Sequence, residues 1–211
     1  MTDIAKKHKE ARDNFFSQLS FLISTAQWNK NLYLYKEIEK KCNFPQNYHY
    51  ILFPGGGSQI IQEFESWQDQ KMLELLLTDD QNLKTREKIA KALEIRIMGI
   101  VPKAAILEQN ALFLIPGNIL SGAKCYSKTC DLIWRYAGDK SEDFNYYSKR
   151  GLLLCVYTSS RLFYLSDNSK DFIKTKKFIA TSIEKIINIA KIKDKIKLPS
   201  VEDVPILRLM S

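Results

Sequence analysis

The sequence contains few of the residues from which metal sites and catalytic centres are usually built. It has only two histidines, His8 and His49, and neither has a carboxylate or a cysteine at a metal-ligand spacing. Its four cysteines include no CxxC pair, a pattern typical of reduced thiols in a cytosolic protein. We therefore expect no metal, no cofactor and no enzymatic activity.

Long apolar runs are absent as well. No stretch approaches the roughly 18 apolar residues of a membrane span, and the chain does not begin with a basic segment followed by an apolar one. The sequence thus predicts neither a signal peptide nor a transmembrane helix. We expect a cytoplasmic protein that associates peripherally with the inner face of a membrane.

Proline and glycine are also sparse, at six and eight residues, and they cluster at a few joints. Between these joints apolar residues recur with the 3.6-residue period of a helix, and no region alternates as a strand would. This pattern predicts an all-α protein. We divide it into a three-helix module over residues 1–57, a larger helical domain over 58–197 and an extended tail over 198–211.

The first module has the spacing of a helix-turn-helix, with short helices predicted over 32–41 and 45–52 after a longer first helix. Gln46 and Asn47 in the third helix are residue types that can read adenine. However, no lysine or arginine occurs between Lys41 and Lys71, and a DNA reader normally neutralises several phosphates. We therefore predict a degenerate module without specific DNA binding.

The net charge of +8 is concentrated near the end of the chain. Residues 170–197 contain nine lysines and three acids, whereas residues 61–169 are balanced. A basic helix suits an anionic membrane surface or an acidic partner. A solvated helix face in a lysine-rich chain explains the pattern equally well.

The most distinctive stretch runs from Asp131 to Tyr157. Gly138 ends one helix, and Asp139 or Ser141 can cap the next, which is predicted over 143–166 and is apolar on nearly every side. The stretch from Asp131 includes the sequence AGDKSEDFNYYSKRGLLLCVY over residues 137–157. The pattern D-x-S-x-D-F follows over residues 167–172.

These two motifs resemble the signature of the coenzyme Q (ubiquinone) biosynthesis accessory proteins. That family has the fold of the TetR regulators but binds lipid and not DNA. One departure is that Tyr146 replaces the family's usual tryptophan. The resemblance implies a TetR-like helical bundle and a lipid-binding protein that presents an isoprenoid quinone precursor to a membrane di-iron hydroxylase. The alternative is a TetR-type transcriptional regulator that senses an apolar ligand.

The resemblance also implies two sites and a symmetric homodimer built through the last helices. An apolar pocket for an isoprenoid or another lipid would lie between the helices predicted over 83–101, 118–136 and 143–166. Helical phase selects Met98, Leu153, Val156 and Tyr157 for its lining, and Trp134 joins them from the aromatic-rich middle of the chain. Taken singly, each of the two aromatic residues is better explained as core. The hydroxylase would contact a surface that carries over from the family: Ile133, Tyr146, Tyr147 and Arg150.

Overall fold

The computed structural model describes residues 3–23, 32–78, 83–141 and 144–195, so the predicted tail over 198–211 lies outside the described residues. The described residues are almost entirely helical and contain no strand, which confirms the all-α prediction. The α-helices of this part are α1 Asp3–Leu22, α2 Leu32–Lys41, α3 Tyr48–Leu52, α4 Gly56–Leu77, α5 Thr85–Glu94, α6 Lys103–Phe113, α7 Ile119–Tyr136, α8 Phe144–Ser166 and α9 Ile173–Lys195.

Helices α1, α2 and α3 form the predicted helix-turn-helix, but the third helix differs from the prediction. It begins at Tyr48 and not at residue 45, because Asn47 adopts a left-handed conformation with φ of 65°. The Glu39 carboxylate accepts hydrogen bonds from the backbone N–H groups of Asn47 and His49, and it lies 2.6 Å from His49 Nδ1. Gln46 and Asn47 therefore lie in the turn, and His49 is buried against α2.

This first module packs directly on α4. The Trp67 indole donates a hydrogen bond of 2.7 Å to Asp13 of α1, and the rings of Phe16 and Phe64 lie 5.7 Å apart. Arg12 forms an ion pair of 3.1 Å with Glu63. These contacts hold α1 to the larger helical part, in which α7, α8 and α9 pack in sequence and α9 also packs against α5.

A layer of buried charge crosses the centre of the larger part. Arg96 is fully buried in a π-helical segment, Ile95–Gly99, and it pairs with the carboxylates of Glu65 and Asp69. Burial opposes the charge of the guanidinium, but Tyr157 and the two carboxylates raise the pKa of Arg96. Because each of these charges has a partner, the three side chains can be buried between α4 and the π-helical segment without an isolated ion.

In the described part of the chain, we find no helix that combines the length and the apolar character needed to cross a membrane.

Candidate functional site

An apolar cleft opens between the end of α6, the first half of α7 and the second half of α8. Its volume is about 280 Å³. Its wall is mostly hydrophobic, with a few polar side chains at its inner end. The lining residues, which define the apolar cleft below, are Asn110, Phe113, Leu114, Ile119, Gly122, Ala123, Tyr126, Leu154, Thr158, Arg161 and Leu162.

The cleft depends on a close approach of α6 and α7. A Cβ atom at Gly122 would lie 2.6 Å from the Phe113 ring, so only glycine allows that ring to lie against α7. Phe113 in turn packs edge-on against Tyr126, with ring centroids 5.3 Å apart. The turn at Pro116–Asn118 joins the two helices and leaves Leu114 exposed at the edge of the cleft.

The inner end of the cleft is polar and is organised around Arg161. This side chain donates to Asn110 Oδ1 at 3.1 Å, to the Tyr157 hydroxyl at 2.9 Å and to Gln109 Oε1 at 3.3 Å. Burial acts against its charge, but Tyr157 and Tyr126 raise the pKa of the guanidinium above its ordinary value. The apolar cleft therefore ends on a fixed positive charge.

The predicted lipid-binding residues do not line this cleft. Leu153 and Val156 face away from the cleft and pack in the core, and Trp134 is buried with its indole donating to the Lys149 carbonyl. Tyr157 is fully buried beside the cleft, where its hydroxyl accepts from Arg161. Met98 is half-buried beside Arg96 in the π-helical segment and packs against the core. This cleft uses the α8 face that contains Leu154, Thr158 and Leu162, and the predicted lipid-binding set stays a prediction.

A second candidate site, here called the tyrosine surface, surrounds Tyr146 and Tyr147 at the start of α8. The Tyr147 side chain is strongly exposed, at 72%, whereas Tyr146 is half-buried. The two rings meet edge-on, with centroids 5.1 Å apart. The remaining residues of this surface are Arg135, Asp139, Lys140, Ser141 and Arg150.

Arg150 lies beneath the tyrosine surface and is held from three sides. Its guanidinium stacks 3.7 Å from the centroid of the Tyr146 ring, and it forms ion pairs of 2.8 Å with Asp131 and 2.7 Å with Asp139. Partial burial would raise the pKa of Asp139, but hydrogen bonds from Lys149, Arg150 and Ser141 lower it to about 2. Asp139 is thus fully ionised at neutral pH.

Two of the predicted partner-binding residues are buried. Ile133 is completely buried in the core, so it is not available to a partner at this surface. Arg150 is also buried, and its charge is already neutralised within the chain by Asp131 and Asp139. Arg150 supports the surface from below through the Tyr146 ring, and Tyr147 is the predicted contact residue that projects from the surface.

The second motif, D-x-S-x-D-F, has a structural role at the start of α9. The Asp167 carboxylate accepts hydrogen bonds from the backbone N–H groups of Ser169 and Thr175 and from the Thr175 hydroxyl at 2.6 Å. Although burial acts in the opposite direction, these bonds lower the pKa of Asp167. Lys103 of α6 donates to the Asp167 carbonyl at 2.7 Å, which fixes the α8–α9 connection to α6.

Comparison with known proteins matches the part of the chain that contains the tyrosine surface and the α7 and α8 walls of the apolar cleft. The COQ9 family model matches residues 119–190, from the start of α7 into α9. A probable ubiquinone biosynthesis protein coq9, mitochondrial, from Dictyostelium discoideum is 38% identical over 116 residues, which cover 54% of this chain and 38% of that protein. The ubiquinone biosynthesis protein COQ9, mitochondrial, of Xenopus tropicalis is 33% identical over 141 residues, covering 63% of this chain and 44% of that protein.

The chain therefore matches less than half the length of these two relatives. Among solved structures, a TetR transcriptional regulator from Nitrosomonas europaea ATCC 19718 superimposes with a TM-score of 0.65 at 16% identity, covering 83% of this chain and 97% of that one. At this level of identity the likeness concerns the fold alone. The resemblance to the coenzyme Q biosynthesis accessory proteins is thus confirmed. The predicted TetR-like fold of the chain is confirmed as well.

Proposed function

We propose that this protein is a non-catalytic accessory protein of ubiquinone biosynthesis that binds an isoprenoid lipid in the apolar cleft. The similarity to COQ9 proteins supports the pathway, and the cleft supports the ligand class. The observation that carries the proposal is an apolar groove whose wall continues into exposed leucines at its mouth. Exposed apolar surface that continues into a cleft is a recurrent feature of ligand-binding grooves.

The size and chemistry of the cleft suit part of a hydrocarbon chain. Its volume of about 280 Å³ is near the lower end of the ~300–1,000 Å³ typical of ligand pockets. Each buried CH₂ group contributes about 0.8 kcal/mol to binding. A prenyl chain in the cleft would place its remaining units over Leu114 and Leu162, which border the opening.

The tyrosine surface supports the second half of the proposal, in which a membrane hydroxylase docks on the protein and receives the bound precursor. Tyr147 supplies a large, rigid and exposed aromatic side chain of the kind enriched at binding hot spots. Its ring contacts the Tyr146 ring, which in turn stacks on Arg150. The family resemblance and the exposure of Tyr147 together support both the hydroxylase as partner and the transfer of the bound precursor to it.

Membrane contact is the third part of the proposal. Helix α9 carries exposed lysines in its first turns, at Lys174, Lys176 and Lys177, which suit an anionic lipid surface. The relatives described above are named as mitochondrial proteins. We propose that this chain associates with its membrane peripherally.

Mass spectrometry of lipid extracted from purified protein tests the ligand. We expect an isoprenoid to be retained by the wild type, and to be lost from Leu114→Glu because a carboxylate at the mouth would be desolvated by the chain. Leu77→Glu is the matched control, since Leu77 is exposed to 78% at the end of α4 and Leu114 to 76%. Absence of lipid from the wild type, or equal loss in both variants, would contradict the proposal.

A further inference from the structure

Arg161 is the unusual residue of the apolar cleft, because it is a charged side chain with only 1% exposure in a mainly hydrophobic wall. Its guanidinium lies over the rings of Tyr126 and Tyr157, at 4.9 Å and 5.5 Å from their centroids. Its three hydrogen bonds go to Asn110, Tyr157 and Gln109, all of which are neutral. A guanidinium has more N–H groups than these three bonds use.

The other fully buried arginine shows what is different here. Arg96 pairs with two carboxylates, those of Glu65 and Asp69. Within the residues that the structure describes, no carboxylate lies within 4.0 Å of Arg161. Glu65 supports its charge from a greater distance, and Arg96 opposes it. A buried charge without a close counter-ion is costly, so its retention at the end of a cleft points to a ligand group.

Two further observations indicate that this end of the cleft has hydrogen-bond donors to spare. Gln109 is fully buried, and its amide Nε2 has no hydrogen-bond partner in the described structure. Asn110 Oδ1 is already used twice, since it accepts from the Tyr126 hydroxyl at 2.9 Å as well as from Arg161. The Asn110 oxygen is therefore occupied as an acceptor, whereas Arg161, which lines the cleft, has more N–H groups than its three bonds use.

We infer that the polar end of the apolar cleft, built by Arg161 and Asn110, binds an oxygen-acceptor head group, a carbonyl or carboxylate, of a prenyl-chain ligand. This inference rests on the proposed function, because it takes the same cleft as the lipid site. It fixes the ligand's orientation: the head lies inward at Arg161, and the chain runs outward between Phe113 and Leu154 to the mouth. It also excludes cationic heads, which Arg161 repels.

Three probes with the same farnesyl chain and different ends test the inference: farnesoic acid, the hydrocarbon farnesene and farnesylamine. Equilibrium dialysis against the wild-type protein at neutral pH measures the affinity of each. We expect farnesoic acid to bind about tenfold or more tightly than farnesene, the size expected of a charge-assisted hydrogen bond. Farnesylamine should bind more weakly than farnesene.

The decisive variant is Asn110→Asp, which keeps the shape of the side chain and gives Arg161 a carboxylate at the present 3.1 Å contact. We expect the variant to fold normally and to lose the preference for farnesoic acid. Asn14→Asp is the matched control, because it makes the same change of charge at an exposed position of α1. It should retain the wild-type preference.

The outcomes separate this inference from the proposed function. If no farnesyl compound binds the wild type, the lipid-binding proposal fails and the inference fails with it. If all three probes bind equally, the cleft binds the farnesyl chain without discriminating between head groups, and only the inference is overturned. It is also overturned if Asn110→Asp discriminates as the wild type does, because the head group then lies elsewhere.

Discussion

The ion pairs beneath the tyrosine surface lead to a quantitative prediction for Asp139. Its side chain is almost completely buried and contacts both Arg150 and Lys149 at 2.7 Å. Its pKa falls from 3.8 to about 2, and one pKa unit corresponds to about 1.4 kcal/mol. Asp139→Asn should therefore lower the free energy of unfolding by about 2 kcal/mol at pH 7.

The pH dependence of that loss gives the prediction its test. Because the folded-state pKa is depressed, the stabilisation is complete above about pH 4, declines as pH falls and is absent below about pH 2. Urea unfolding of the wild type and of Asp139→Asn at several pH values measures the difference between them. This difference isolates Asp139 from the other carboxylates, including Asp167, whose pKa is also lowered.

The control is Asp3→Asn, since Asp3 makes an exposed ion pair with Lys7 and surface pairs contribute little. It should unfold like the wild type at every pH. A difference for Asp139→Asn that persists unchanged to pH 2 would show that the loss comes from packing and not from charge. No difference at pH 7 would show that the ion pairs with Arg150 and Lys149 add nothing to stability.

Three further predictions concern partners. Tyr147→Ala should weaken hydroxylase binding by about 2 kcal/mol or more with little loss of stability, whereas Tyr146→Ala should reduce stability because its ring stacks on Arg150. Calorimetric titration measures the binding and urea unfolding the stability, and normal binding by Tyr147→Ala would place the interface elsewhere. Specific DNA binding should be absent, and a sequence-selective, salt-sensitive mobility shift at nanomolar protein would support the regulator instead. Light scattering should give a dimer mass, and a monomer mass throughout the micromolar range would refute the homodimer.

The helices were predictable because their boundaries are encoded locally. The helix predicted over 143–166 is observed as Phe144–Ser166, and the one predicted over 118–136 as Ile119–Tyr136, since Gly138 and Pro116 interrupt the pattern beside them. The short third helix was placed too early because its start is set by Glu39, eight residues before Asn47. A hydrogen bond between a side chain and a backbone group eight residues away does not alter the period of the apolar residues, so the sequence pattern does not reveal it.

The candidate site was harder to predict, because its chemistry depends on contacts between distant residues. Arginine is rarely buried, so neither Arg96 nor Arg161 was expected inside. Arg161 meets Gln109 across 52 positions of sequence, and Arg96 meets Glu65 across 31. Helical phase also could not choose between the two faces of α8, since both are apolar: one packs in the core with Leu153, and the other lines the cleft with Leu154.

The position of Arg150 has a consequence for the entropy of association. It joins Asp131 of α7, Asp139 of the connection and Tyr146 of α8, so the rings above it are ordered before any partner arrives. Immobilising a free side chain at an interface costs about 0.5–1.5 kcal/mol, and here folding has already restricted Tyr146 and its neighbour Tyr147. A partner that docks on Tyr147 would therefore lose less side-chain entropy and bind with higher affinity. A substitution that breaks the ion pairs of Arg150 would increase this entropic cost and shorten the lifetime of the complex, even though every contact with the partner remained.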